Sequence, residues 1–157
     1  MLFRPPMPTD LPDLNAMILR SKAVWGYDEA FMAACEEELR LTPAHLAAGQ
    51  IECALDRDTI TGVVQLSEVD GALHLEKLFI SPDYQGQGIG RSLMGWAVSR
   101  ARLSGCQTIH IDSDPGAVPF YERMGARRAG EVPSGSVPGR MLPRLELQVA
   151  TKSPSAG

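Results

Sequence analysis

Three glycines at alternate positions, Gly86, Gly88 and Gly90, lie between a strand-like run, LHLEKLFI, and a run of helical period opening at Ile89. Glycine loses more backbone freedom on folding than any other residue, so the cluster implies a need for bare backbone. The first N–H groups of a helix have no intrahelical partner, and the helix dipole adds positive potential there. Without Cβ atoms an anion can approach those groups, and Arg91 adds a charge. The chemistry implied is binding of a phosphate-bearing ligand. A glycine turn that only reverses the chain is the alternative. Two familiar phosphate loops fail. The dinucleotide fingerprint needs its last glycine where Arg91 stands, and the P-loop needs a Lys followed by Ser or Thr.

Other clusters of reactive types read as structure. Asp56-x-Asp58 and Asp112-x-Asp114 have the look of metal ligands, but each sits at a strand end with no His or Cys to complete a set. They read as turns, and no metal is expected. His45 and His110 have no partner suggested by spacing. The three cysteines, Cys35, Cys53 and Cys106, are odd in number and form neither a disulfide framework nor a zinc spacing.

The elements that must position the glycine loop follow from periodicity. LFRPP reads as an edge strand stopped by prolines. Thr9 and Asp10 can cap a helix that sets Leu11, Leu14 and Ile18 on one face. Gly26 breaks it, and Asp28 starts another helix through about Leu39. LTPAHLAAG reads as a helical turn. QIECALDRD, TITGVVQLSEVD and LHLEKLFI are strands, the last two joined at Asp70-Gly71, a strong hairpin signal. Ile89, Leu93, Trp96, Ala97 and Ala101 form one helical stripe ending near Gly105. CQTIHIDSD is a strand, AVPFYERMG a short helix, and RLELQVA a final strand. The order predicts a mixed α+β sheet with helices on its faces. Residues 1–150 form one domain, and the polar end, 151–157, reads as a loose tail.

The 157 residues suffice to bury a core, with 44% hydrophobic and 22% charged residues. The formal net charge of −4 argues against a nucleic-acid partner. No window approaches the roughly 20 apolar residues of a membrane span. MLFRPPMPTD has no apolar signal core, so a cytoplasmic protein is expected.

Gln85-x-x-Gly88-x-Gly90, between a strand and a helix, resembles the pyrophosphate loop of the GNAT superfamily of N-acetyltransferases. AVPFYERMGA, one helix and one strand later, resembles that family's FY-x-x-x-G segment. Together the two motifs are more specific than either alone, and the resemblance is firmest from Ile60 to Gly130. It implies a twisted, mostly antiparallel sheet of six to seven strands. It also implies acetyl-CoA as co-substrate and transfer of its acetyl group to an amine of a small molecule or protein. Members are often dimers through their C-terminal strands, so a homodimer is one implied assembly.

The resemblance also assigns residues. Gln85, Gly86, Gln87, Gly88, Ile89, Gly90, Arg91 and Ser92 would hold the pyrophosphate, and the backbone of Leu78, Phe79 and Ile80 the pantetheine arm and acyl oxygen. Many members carry an Asn near the start of the FY helix that reaches pantetheine. Here Asp114-Pro115-Gly116 stands there, and Asp114 is the nearest substitute. Tyr121 matches the Tyr that protonates the leaving thiolate in members that use it; packing beside Phe120 is its other reading. His74 and Glu76 are two apart, share a strand face, and are candidates for the base. His74 has the more suitable intrinsic pKa, and Glu76 would need a water relay or a raised pKa. A solvent-edge His74, and a Glu76 paired with Lys77, are the alternatives. Trp25, Tyr27, Ser134 and Arg140 lie in two loops that commonly wall the acceptor site. A CoA-binding sensor that has lost transfer is the competing function.

Overall fold

The computed structural model describes residues 1–149. The expected tail at 151–157, and residue 150 as the domain's end, lie outside the described residues. Strand β1 (Leu2–Arg4) is followed by α1 (Leu11–Ala23), α2 (Glu29–Leu39) and α3 (Pro43–Ala47). Then come β2 (Ile51–Asp56), β3 (Thr59–Val69), β4 (Ala72–Ile80) and α4 (Ile89–Ser104). The chain continues through β5 (Thr108–Asp112), α5 (Val118–Arg123), β6 (Arg127–Pro133) and β7 (Met141–Gln148).

All seven strands join one sheet in the order β1-β2-β3-β4-β5-β7-β6. Every pairing is antiparallel except β4 with β5, which α4 connects as a crossover. Turn chemistry sets the register of the first hairpins. Asp70 and Gly71 both have positive φ, 53° and 77°, as a tight two-residue hairpin loop requires.

Two apolar layers enclose the sheet. Ile89, Leu93, Met94, Ala97 and Ala101 of α4 cover Val64, Leu66, Leu73, Leu75, Ile109 and Ile111, with Tyr121 of α5 in the same layer. On the other face Leu14, Met17 and Ile18 of α1 cover Cys53, Leu55, Ile60 and Val63. Gly62 is where the sheet meets α4 most closely: a Cβ there would stand 3.0 Å from Ile80 and Ile89.

The structure differs from expectation at Asp10 and adds two features, strand β6 and a bulge in β4. Asp10 makes no side-chain cap on α1; its carboxylate turns back to Arg4, at 2.7 Å, and to the Met7 amide. The charged guanidinium outcompetes the helix amides. Strand β6 has no counterpart in the sequence reading, which gives no element to residues 127–130 and a loop from Glu131; its residues are almost all exposed, so it has no alternation to betray it. A register shift between Arg128 and Gly130, where Gly130 has φ 130°, blurs it further. Finally, Gln65 faces Lys77 while Leu66 faces Leu75, which leaves Glu76 as an unpaired extra residue. The alternation of β4 changes phase at this bulge. Leu73 and Leu75 face α4 before it, Leu78 and Ile80 face α4 after it, and Phe79 joins the α1 layer.

Candidate active site

Strands β4 and β5 pair only over Leu73–Leu75 and Ile109–Ile111. Beyond that β4 runs on to Ile80 and β5 ends at Asp112. Between their free ends lies a cleft of about 560 Å³. One wall holds Leu78, Ile80, Gln85, Pro119, Phe120 and Tyr121; the other holds Ser21, Lys22, Trp25, Glu38, Glu76 and Lys77.

The glycine loop begins at Gln85, which lines the first wall. Gly86 and Gly88 have φ of 77° and 81°, a left-handed conformation that side chains rarely adopt, and a Cβ on either would meet only open space. Gly88 is the N-cap of α4 and supplies no side-chain cap. The leading amides of α4, at Ile89, Gly90 and Arg91, are therefore left for an outside acceptor. Gln87, Arg91 and Ser92 are exposed around them. Gln85 lines the cleft and donates from Nε2 to the Ile80 carbonyl at 3.2 Å. Gly90 has a different reason to be glycine: a Cβ there would stand 3.2 Å from the Phe120 ring. The Ile89 side chain is buried in the core, so only its backbone faces the loop. This end fits a pyrophosphate, with open space before unpaired N–H groups.

Tyr121 is 7% exposed and lines the cleft, with its ring edge-on to Phe120. Burial, with Asp114 adding to it, pushes its phenol well above the ordinary range. Among the described residues its hydroxyl has no hydrogen-bond partner, so it is a neutral donor facing the cleft.

Asp114 is a tie between loops. Its Oδ2 accepts from Lys22 Nζ at 3.1 Å and from the Tyr27 hydroxyl, and its Oδ1 accepts from the Gly116 amide at 3.1 Å. Arg140 lies 3.7 Å from the same carboxylate and donates to the Tyr27 oxygen at 2.7 Å. Tyr27 stacks on Phe31 at 3.8 Å, and Arg140 stands over both rings. Burial works to raise the Asp114 carboxyl, but the bonds from Tyr27 and Gly116 and the Lys22 charge outweigh it and hold it below its ordinary value. Burial and the bond to Asp114 push Tyr27 up to about 12. Trp25 lines the cleft against Gly116, where a Cβ would stand 2.5 Å from its ring. Ser134 accepts from the amides of Ser136 and Val137 and fixes the β6–β7 loop, whose Ser136 hydroxyl donates to Glu38.

The two candidate bases separate. Glu76 lines the cleft and accepts from the Ser67 hydroxyl. His74 does not line the cleft; its ring stacks on His110 at 5.2 Å, in a row that continues to Glu146. Sequence reasoning missed Glu38, Lys22 and Lys77. Lys77 is 8% exposed, and its Nζ donates to Gln65 Oε1 at 3.0 Å. A lysine inside an apolar strand was the available signal, but Lys77 entered the sequence reading only as a partner for Glu76.

Comparison with known proteins agrees with this geometry. The model of the Acetyltransferase (GNAT) family matches residues 16–126. The chain belongs to that family. The structure is similar to PaiA N-acetyltransferase from Thermoplasma acidophilum, solved with coenzyme A, with TM-score 0.77 and 18% identity over 94% of this chain and 98% of that one. Glucosamine 6-phosphate N-acetyltransferase of Trypanosoma brucei brucei is 35% identical over 54 residues, 34% of this chain and 37% of its own. Peptidyl-lysine N-acetyltransferase YjaB of Salmonella typhimurium is 36% identical over 74 residues, 47% of this chain and 49% of its own. The chain thus spans less than half the length of these curated relatives.

Proposed function

We propose that the protein is an acetyl-CoA-dependent N-acetyltransferase that moves an acetyl group to the amine of a small molecule or protein by direct attack on the thioester. The observation that carries this is the cleft between β4 and β5. It joins an anion-receptive helix end to a polar wall through the one buried tyrosine that faces it. Acetyl-CoA, when bound, supplies an activated acyl carbon on a thiol leaving group. The amides after Gly86 and Gly88 hold the pyrophosphate, and the free backbone edge of β4 at Leu78–Ile80 aligns the arm and the acyl oxygen. Tyr121 donates toward the departing sulfur. Burial places its pKa far above a thiol's roughly 8.5, so hydrogen-bond donation outweighs full proton transfer. Asp114 serves through Tyr27, Lys22 and Arg140, which fix the loop that carries Trp25. Glu38 and Glu76 give the acceptor wall negative charge suited to an incoming ammonium.

The reading keeps the protein in the cytoplasm, where the three unpaired, buried cysteines are stable as thiols. No helix among the described residues is long and apolar enough to cross a membrane.

Calorimetry with acetyl-CoA and with CoA tests the first half of the proposal. Thiol release over a panel of an aminosugar, a polyamine and a lysine peptide tests the second. Binding with release on one amine class is the expected result. Binding without release on a broad panel would favour a CoA sensor, and absence of binding would overturn the reading.

A further inference from the structure

The bulge at Glu76 does more than break a ladder. By changing the phase of β4 it brings Lys77 to the α1 and α2 side, inside the acceptor wall of the cleft. Gln65, its register partner on β3, is 7% exposed and offers a neutral amide oxygen. No carboxylate oxygen among the described residues lies within 4.0 Å of the Lys77 nitrogen, whereas Lys22 and Arg140 at the same end of the cleft each meet the Asp114 carboxylate. An ammonium has three donors, and Gln65 meets one. A buried charge so poorly matched is costly, whereas a neutral amine in the same place donates to Gln65 and keeps a lone pair for the cleft.

We propose that Lys77 is the proton acceptor for the substrate's ammonium, and that the acceptor is a cationic amine received between Glu38 and Glu76. This rests on the transferase reading above. Burial lowers the Lys77 pKa, against the opposing charges of Glu76 and Glu38. Lys22, Asp112, Asp114 and Arg123 also line the cleft. Lys22 and Arg140 share Asp114, and Asp112 pairs with Arg144 at 2.7 Å, so the carboxylates left to meet an ammonium are Glu38 and Glu76. An ammonium drawn there would repel a protonated Lys77 and favour its neutral form further.

The step balances. The Lys77 amine takes one proton from the ammonium. The freed nitrogen lone pair forms a bond to the acetyl carbon, and the carbon–sulfur bond breaks with its electrons going to sulfur. The amide nitrogen loses a second proton to the thiolate, with Tyr121 donating a hydrogen bond there, and Lys77 returns its proton to water. Amide and free thiol are the products.

Two measurements test this, one without any acceptor. Trace acetylation with acetic anhydride from about pH 6 to 11, mapped by mass spectrometry, reads the titration of each lysine against Nα-acetyl-lysinamide in the same tube. Lys77 should take label with a midpoint below the standard. An ordinary midpoint, or no label at all, overturns the proposal whatever the acceptor. Separately, Lys77→Arg keeps the charge but cannot shed a proton near neutrality, and Lys77→Met keeps the length without either. Both should lower kcat about 100-fold or more at pH 7 with the amine panel. Both should leave acetyl-CoA affinity within about twofold, and their rates should climb with pH as the free amine accumulates. Near wild-type turnover in either variant overturns the role. Absence of acetyl-CoA binding in the wild type would instead count against the transferase reading.

Discussion

The hydroxyl of Tyr27 donates to the carboxylate of Asp114, 87 positions further along the chain. That bond ties the α1–α2 loop to the segment after β5, and Arg140 brings the β6–β7 loop to the same point. Asp114→Asn keeps the shape and removes the charge that Lys22 and Arg140 share. Their side chains are mostly buried, so the variant should lose about 3 kcal/mol of stability in denaturant unfolding. The acceptor's KM should rise with little change in acetyl-CoA affinity, because the carboxylate holds the acceptor wall and not the glycine loop. A loss below about 0.5 kcal/mol would show that the tie is not formed in solution.

The same pair makes stability depend on alkaline pH. The folded Tyr27 phenol is pushed up to about 12, above its unfolded value of about 10. A group raised in this way contributes stability that is fully present below the unfolded pKa and is lost as pH rises through the folded one. The stability difference between wild type and Tyr27→Phe should therefore hold up to about pH 10 and shrink between about 10 and 12. Asp114 has the opposite sign. Its folded pKa is depressed, so its contribution stands above about pH 4 and falls away as pH drops below that. Urea unfolding of both proteins across the alkaline window checks the first claim; a constant difference there would refute it.

Gly88 and Gly90 separate two uses of glycine. Gly88→Ala places a Cβ in open space at a left-handed φ, and the strain costs about 1 kcal/mol. Gly49→Ala meets the same condition, φ 74° with nothing near, in the turn between α3 and β2, and should cost as much. Only Gly88→Ala should weaken acetyl-CoA binding, by tenfold or more in calorimetry, because its Cβ projects into the anion's approach. Gly90→Ala should instead displace the Phe120 ring, which stands 3.2 Å from the new methyl. Equal affinity losses in Gly88→Ala and Gly49→Ala would mean that strain alone is being read.

These two glycines also show what a one-dimensional reading can reach. Strand, glycine loop and helix are local, so the loop's place was legible from LHLEKLFI, the spacing of Gly86 and Gly88, and the stripe from Ile89 to Ala101. The packing reason for Gly90 was not, since Phe120 arrives only through the tertiary fold. Trp25 on Gly116 is hidden in the same way. His74 and Glu76 were rightly placed on one face, yet alternation could not say that the cleft ends between them. The bulge at Glu76 carries no residue signature, so nothing in the sequence pointed to Lys77 entering the cleft. Strand β6 was missed because an exposed edge strand needs no apolar alternation.

Tyr121→Phe distinguishes chemistry from packing at a buried site. The ring fills the layer beneath α4 and packs edge-on to Phe120, and both contacts survive the change. Among the described residues the hydroxyl has no partner to lose, so the fold should keep its stability within about 0.5 kcal/mol. Acetyl-CoA affinity should also hold, because the helix end and the β4 edge are untouched. Turnover should fall about 10- to 100-fold, since the departing sulfur loses its neutral donor. The phenol is held far above neutrality, so this loss should be independent of pH from about 6 to 9, unlike that of the Lys77 variants. Unchanged kcat together with a lower melting temperature would assign Tyr121 to packing.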